Sequence, residues 1–512
     1  MRLHGLSTFS LLVAATVLVG LVPGQATAQR VEVLSANTLR FELGQRLRAL
    51  EVSLESKRDD SVAIARAMPI VDQAVKSFFG LSLDRAAERL DAARFALETD
   101  REVERQHARL AFLPQTRLVD PDETGSLTIS HGWVYGHGRE GEQSFGADGV
   151  RYRIEHRLVD GGGASVGEPV SVVFSDLRPA EIELPLPDFS RDMDLTLESS
   201  VAPLDTEGLP VVDAPPITRR CTVSIVRNAI ARIAEIEPLA ERTKGEGTAT
   251  IAATASHYSR MFRILGRGRA FETDVPVARL LAEAEAMARH LESATGNYFD
   301  RARTGERWMR LSVPSGRRVG RESVVPLRLW TPDGIAEGDI VPLVIALHGA
   351  GGSENMFFDG YGDGLARRLA EERGWAFASP LTQTASPDLV AMIDELAKRY
   401  PIDTEKVFVF GHSMGAAKTV DLLQVGAGRF AAASALGGSG RVRRESDFAG
   451  LPVFVGCGSR DFALNGARVL HQAFEQAGAE SELKIYDDVE HLTVVQIALP
   501  EVFAFFDQWA AR

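Results

Sequence analysis

The chain has 512 residues, of which 45% are apolar and 25% are charged, and these proportions are ordinary for a globular protein. This length exceeds what a single hydrophobic core supports, so we expect three or four domains. The formal net charge of −13 argues against sequence-independent binding of nucleic acid, which needs a basic surface.

Residues 1–28 have the pattern of a secretory signal peptide. Arg2 precedes the apolar run LLVAATVLVGLV, and Ala26-Thr27-Ala28 resembles a cleavage site of small residues. We therefore predict cleavage before Gln29 and export to the periplasm or the extracellular space. The apolar run is short for a membrane span, and no later stretch is apolar enough to be one. An uncleaved anchor is the alternative, because only one arginine precedes the run.

The pattern changes twice in the first three hundred residues. Residues 29–114 contain apolar positions at helical spacing, as in LDRAAERLDAARFALE, and predict a helical region. From 115 to 226, short alternating runs separated by Gly, Pro and Asp predict a β-sandwich-like module. The helical pattern returns over 227–305. The role of these regions and any protein partner of theirs stay open.

Residues 306–512 alternate between strands and helices. The first two strands, ERWMRLSVPSG and VVPLRLWTPDG, predict an antiparallel hairpin. The later strands are continuously apolar, which is typical of a parallel sheet covered by helices on both faces. The predicted fold class is α/β, with this C-terminal sheet preceded by a helical region that contains an inserted β-sandwich-like module.

The segment KVFVFGHSMGAAKTVDLL, residues 406–423, places Ser413 between an apolar strand and a helix. A tight strand–turn–helix connection would expose the Ser413 hydroxyl, and Gly411 and Gly415 leave the space that such a turn needs. The N–H of Met414 would lie at the helix N-terminus, where it can stabilise a developing oxyanion. We therefore predict that Ser413 is a nucleophile.

The segment VIALHGAGGSENMFF, which ends the preceding core strand, predicts the second half of an oxyanion hole. Its small residues allow main-chain amides to approach a substrate, with Ala350 as the first candidate donor and Gly351 as the next. Met356 and Phe357 are candidate residues of the substrate pocket, although core packing is the alternative for both. His412, beside the nucleophile, is a further pocket candidate.

A serine nucleophile needs a base and an acid that orients this base. Asp461 and His491 each follow an apolar strand, so both are expected at the same edge of the sheet as Ser413. Asp461 would orient His491, and His491 would take the proton of Ser413. Glu490 adjoins His491 in sequence but is poorly placed to orient it.

The motifs GHSMG, HGAGG, GSRD and EHL, in this order, resemble those of the α/β-hydrolase superfamily. They are most similar to secreted esterases of the polyhydroxybutyrate-depolymerase and feruloyl-esterase kind, and also to the prolyl-oligopeptidase catalytic domain and dienelactone hydrolase. The resemblance implies a serine hydrolase with Ser413, Asp461 and His491 as its triad. Proteins of this superfamily usually insert a lid after the strand that follows the nucleophile helix. Only GGSGRVRRESDFAG occupies that place, so we expect an open site unless the N-terminal regions cover it.

The chain contains only Cys221 and Cys457, so a disulfide framework is excluded, while two free thiols or a single bridge both remain open. No spacing of Cys and His resembles a zinc site, and we expect neither a metal nor a cofactor.

An exported serine esterase is the first functional hypothesis, with an ester as substrate. A serine peptidase of the prolyl-oligopeptidase type, acting on peptides, is the second. The third is a binding or scaffold protein with an appended hydrolase fold.

Overall fold

A computed structural model describes residues 34–57, 59–98, 107–136, 151–175, 180–211, 216–236, 238, 248–293, 298–443 and 447–512. The predicted signal peptide and its cleavage site before Gln29 lie outside these residues. Within the described part of the chain, no helix is both long enough and apolar enough to span a membrane.

The N-terminal region begins with α1 (Ala36–Ser56), α2 (Ser61–Phe79) and α3 (Leu83–Glu98), which we call the cap helices. Ser35 and Asp60 cap the first two of them, since each side chain accepts a hydrogen bond from a main-chain N–H of the first turn. Apolar residues of all three helices form a common core. Ala111, Val134 and Tyr135 also belong to this core, so the three helices pack on one another and on the part of the chain that follows them.

Strands β1–β8 follow, and they form two sheets that share one apolar core. The order in the smaller sheet is β1-β3-β6, and in the larger it is β2-β8-β7-β4-β5. β1 lies in the segment expected to be helical, because its residues pair with β3. The strand bounds are Leu110–Pro114, Leu118–Val119, Ser126–Trp133, Arg151–Val159, Ser165–Phe174, Ala180–Pro185, Met193–Leu204 and Ile217–Ile225.

Helices α4 (Ala229–Ile236), α5 (Ala249–Leu265) and α6 (Val277–Ser293) connect this module to the C-terminal sheet. Helix α5 covers the edge strand of that sheet. The hydroxyls of Thr250 and Thr254 accept hydrogen bonds from the N–H groups of Ser312 and Arg310, each at 3.0 Å. These bonds satisfy edge amides that would otherwise be open to another strand.

The C-terminal sheet has eight strands in the order β16-β15-β14-β13-β11-β12-β10-β9. Strands β11–β16 are parallel, and the hairpin β9–β10 adds the antiparallel edge. The predicted fold class is confirmed. The strand bounds are Gly305–Pro314, Glu322–Thr331, Val341–Leu347, Ala376–Pro380, Ile402–His412, Ala432–Leu436, Pro452–Gly458 and Glu480–Tyr486. Helices α7–α12 span Met356–Asp359, Tyr361–Glu371, Ser386–Ala397, Met414–Gly426, Leu464–Gln476 and Thr493–Ala510, and a 3₁₀ turn spans Ala427–Arg429.

A buried residue of the cap helices is hydrogen-bonded to two helices of the C-terminal domain, α8 and α12. Glu51 of α1 accepts a hydrogen bond of 2.7 Å from the N–H of Gly362, and its main-chain oxygen accepts one of 3.3 Å from Gln496. The other carboxyl oxygen of Glu51 has no hydrogen-bond partner. Burial raises the pKa of Glu51 from 4.5 to about 8, so the folded state favours the protonated acid.

This pKa predicts that Glu51 makes the protein less stable as the pH rises. Between about pH 4.5 and 8 the folded state holds a proton on Glu51 that the unfolded state has released, so stability falls with pH. We expect Glu51→Gln to have a melting temperature at least about 2 °C above wild type at pH 8, with a smaller difference at pH 5. Glu88→Gln, on the exposed face of α3, is the control and should track wild type. A constant difference at both pH values would contradict this assignment.

Candidate active site

Ser413 lies in a tight turn between β13 and α10. Its backbone angles are φ 58° and ψ −116°, a conformation that non-glycine residues rarely adopt. A Cβ atom on Gly411 would lie 2.1 Å from the oxygen of Gly415, and one on Gly415 would lie 1.8 Å from the oxygen of Leu347. Neither position accepts a side chain. The two glycines therefore permit the close main-chain contacts that hold Ser413 at the sheet edge.

The structure brings Ser413, His491 and Asp461 into one hydrogen-bonded chain. Nε2 of His491 lies 3.0 Å from Oγ of Ser413, while Nδ1 lies 2.9 and 3.0 Å from the two carboxylate oxygens of Asp461. Burial alone would raise the pKa of Asp461, but the hydrogen bond and charge of His491 outweigh it and lower that pKa. An ionised Asp461 accepts the Nδ1–H of His491, which leaves Nε2 free to accept the proton of the serine.

The parallel strands explain this convergence. β13 ends immediately before Ser413, β15 ends at Gly458 shortly before Asp461, and β16 ends at Tyr486 shortly before His491. The carboxyl ends of parallel strands lie at the same edge of a sheet. Gly437, which follows β14, also belongs to the site, because a Cβ there would lie 2.8 Å from Oδ2 of Asp461.

The loop after β11 approaches the serine from the other side. A Cβ on Gly349 would lie 3.2 Å from Cβ of Ser413. His348 braces this loop: its Nε2 accepts the N–H of Thr382 at 3.0 Å, so its Nδ1–H donates to the oxygen of Gly349 at 2.8 Å.

The candidate oxyanion donors border the same cavity or begin the adjoining helix. Ala350 and Gly351 line the cavity in front of Ser413. Met414 is the first residue of α10, and the first amides of a helix have no intrahelical acceptor. These three residues therefore stay the candidate donors that the sequence predicts.

His412 holds the main chain of His491. Its Nε2–H donates to the oxygen of His491 at 2.9 Å, and its Nδ1 accepts the hydroxyl of Tyr361 at 2.7 Å. Burial, followed by the nearby His491, lowers the pKa of His412 to about 3, so this ring stays neutral. Sequence reasoning missed Tyr361, because nothing in its local pattern indicates a contact with a residue on a distant strand.

Glu490 does not orient His491. Its carboxylate accepts the N–H groups of Leu492 and Thr493, at 2.8 to 3.0 Å, and so caps the start of α12. Burial raises its pKa to about 6.

The pocket candidates separate into two groups. Met356 and His412 line the cavity in front of Ser413. Phe357 does not, and the expectation for this residue is corrected: its ring is fully buried in the core, packed against Tyr361 and Phe410. The short helix α7 presents its neighbour Met356 to the cavity instead.

The cap helices cover the cavity. The segment after β14 is too short to form a lid, and the sequence left open whether the N-terminal regions cover the site instead. Side chains of α1, α2 and α3 line it together with the serine and the loop after β11, residues 348–355, which we call the oxyanion loop after its proposed role. The ring of Phe462 lies 4.2 Å from the ring of His491, between centroids, and the ring of Phe79 from α2 lies 6.1 Å from it. These aromatic rings shield the imidazole from water on its outer side.

Cys221 and Cys457 are both buried and free, so the structure contains no bridge between them. Burial raises the pKa of Cys221 to about 12, which keeps it a neutral thiol. In the part of the chain that the structure describes, no group of His, Cys, Asp or Glu side chains has the arrangement of a metal site.

Parts of this chain are similar to known proteins. Residues 364–494 match the model of the Dienelactone hydrolase family. Similar solved structures include S-formylglutathione hydrolase (FrmB) from Staphylococcus aureus, with 15% identity over 40% of this chain and 98% of that chain and a TM-score of 0.32. They also include a bacterial heroin esterase, with 18% identity over 46% and 91% and a TM-score of 0.33. Est1E from Butyrivibrio proteoclasticus has 14% identity over 40% and 99% and a TM-score of 0.32.

Comparison with curated proteins gives no match. The family match and the order of the eight-stranded sheet together identify the C-terminal part of this chain as an α/β-hydrolase domain.

The main-chain contacts at the turn predict that Gly415→Ala is severely damaging. A methyl group would overlap the oxygen of Leu347, so the strand or the helix must move, at a cost of at least about 2 kcal/mol. Gly428→Ala is the matched control, because its Cβ would meet nothing within 4 Å. Urea unfolding of both variants measures the difference, and equal stability would contradict the packing described for the turn.

Proposed function

We propose that this protein is a serine hydrolase that cleaves carboxylic esters. The observation that supports this proposal most directly is the hydrogen-bonded chain from Ser413 through His491 to Asp461, at the mouth of a cavity. The match to a family named for the hydrolysis of a lactone, which is a cyclic ester, also supports it.

The reaction follows from the positions of these groups. His491 Nε2 takes the proton of Ser413 as Oγ attacks the carbonyl carbon, and the carbonyl oxygen becomes an oxyanion. The N–H groups of Met414 and of Ala350 or Gly351 donate to that oxyanion. When the tetrahedral intermediate collapses, the Nε2–H of His491 protonates the departing alkoxide, and the acyl group remains on Ser413.

Water then completes the cycle. It loses a proton to His491 Nε2 and attacks the acyl carbon, and the proton returns to Ser413 Oγ as the carboxylic acid leaves. Asp461 keeps Nδ1 protonated and stabilises the imidazolium formed in both halves of the reaction.

Active-site labelling and substitution test this function. We expect a fluorophosphonate probe to label wild type and not Ser413→Ala, and we expect Ser413→Ala to lose at least about 10⁴-fold in kcat on p-nitrophenyl acetate. Ser439→Ala is the control, because Ser439 is an exposed serine on the neighbouring loop. It should label and hydrolyse like wild type.

A proline-containing p-nitroanilide separates the esterase from the peptidase hypothesis. Amide cleavage at a rate comparable to ester cleavage would favour a peptidase. Label that persists in Ser413→Ala would remove this residue from its proposed role.

We also propose that the protein is exported, on the basis of the charged, apolar and small-residue segments of residues 1–28. The protein recovered from the periplasm or the medium should have an intact mass that corresponds to a chain beginning at Gln29. Recovery of the full-length chain from the cytosol alone would contradict export.

A further inference from the structure

The outer wall of the cavity in front of Ser413 comes from a distant part of the chain. The inner wall contains Ser413, His491 and the oxyanion loop. The cap helices supply the opposite wall, and most of their contribution is apolar: Leu43, Leu47, Ala74, Phe78, Ala86 and Leu90. A substrate bound at Ser413 therefore contacts residues 36–98 as well as the hydrolase domain.

Most polar side chains of the cavity already have partners, and the cap helices add one exposed cationic side chain, Arg40 of α1. The carboxylate of Glu272 accepts hydrogen bonds from the hydroxyl of Ser353 and the amide of Asn355, and the hydroxyl of Thr273 donates to Asp359. Among the cavity-lining residues that the structure describes, no buried side-chain nitrogen or oxygen lacks a hydrogen-bond partner. Outside the reacting centre, the walls therefore favour an apolar group over one that needs hydrogen bonds.

The size of the cavity indicates which groups it can take in. Its volume is about 150 Å³, which is the size of an engineered apolar cavity in another protein that binds benzene. A single ring or a short branched chain fits such a space.

The wall is preformed, because the cap helices are held to the hydrolase domain around the cavity. Arg48 donates to the oxygen of Asp359 at 3.2 Å, and Leu492, adjacent to His491, packs against the core of the cap helices. The ring of Phe78 leaves no room for a side chain on Gly351 of the oxyanion loop, since a Cβ there would lie 2.9 Å from it. Little conformational ordering remains to oppose binding.

We propose that the cap helices form the specificity pocket of this enzyme and select esters that carry an apolar group of about the size of a benzene ring. This inference rests on the proposed esterase function and names the substrate class of the same site.

Esters that differ by one phenyl group test this selection on wild type. Methyl phenylacetate against methyl acetate places the ring on the acyl side, and benzyl acetate against methyl acetate places it on the alcohol side. In each pair a methylene separates the ring from the reacting atoms, so intrinsic reactivity changes little. We expect kcat/KM, measured by pH-stat titration, to be at least about tenfold higher for the ring-bearing ester in one pair. That pair then identifies which side of the ester occupies the pocket.

Gly44→Leu tests whether the cap helices cause the selection. Gly44 lines the cavity from α1, and the nearest atom to a Cβ at this position is the oxygen of Glu272 at 4.0 Å, so a side chain enters without a main-chain clash. Leucine is also a better helix former than glycine. We expect the ratio of kcat/KM for the ring-bearing ester to that for methyl acetate to fall at least about tenfold.

Val52→Leu is the matched control, because Val52 lies on the exposed face of the same helix and is 67% exposed. It should keep the wild-type ratio. Melting temperatures of both variants verify that they fold. An unchanged ratio in Gly44→Leu, or no preference for the ring in wild type, would overturn the proposed pocket.

The two proposals fail in distinguishable ways. If wild type takes up a fluorophosphonate at Ser413 and hydrolyses methyl acetate without preferring a ring, only the specificity pocket is refuted. If wild type neither takes up the probe nor hydrolyses any of the esters, the proposed function fails, and the pocket fails with it.

Discussion

Ser413 has a left-handed backbone conformation, which is strained, and contacts with the rest of the C-terminal domain must stabilise this conformation. Main-chain atoms on both sides hold it, since Gly411 lies against Gly415 and Gly415 lies against Leu347 with no space for a Cβ. Ser413 N also donates to the oxygen of Leu436 on the neighbouring strand at 2.9 Å. Because these contacts are made by backbone atoms, the main-chain position of Ser413 depends on the sheet.

His491 is held by hydrogen bonds at both its ring and its main chain. Asp461 holds Nδ1, while His412 holds the main-chain oxygen and is itself held by Tyr361. Tyr361 begins a turn in which Gly362, Asp363 and Gly364 also have left-handed backbones. Glu51 of the first cap helix accepts the N–H of Gly362. A hydrogen-bonded path thus connects the cap helices to the proposed catalytic base.

The cap helices cover the cavity in front of Ser413. They precede the hydrolase domain in the chain by more than two hundred residues, yet they cover the cavity and contact the oxyanion loop. Residues of the N-terminal region therefore line the same cavity as Ser413 and His491. The proposed substrate selection would depend on the packing of residues 36–98, because the residues that line the cavity include members of that core, such as Leu47 and Leu90.

The sequence alone determined the alternation of strands and helices, the turn at Ser413, and the positions of Asp461 and His491 after their strands. These features are local, because strand ends and glycine-flanked turns are written in neighbouring residues. Only the tertiary structure decided that Tyr361 contacts His412, that Phe357 faces the core while Met356 faces the cavity, and that the cap helices cover the site. Those contacts join residues far apart in the chain, and an apolar side chain has the same appearance in a sequence whether it packs in a core or lines a pocket.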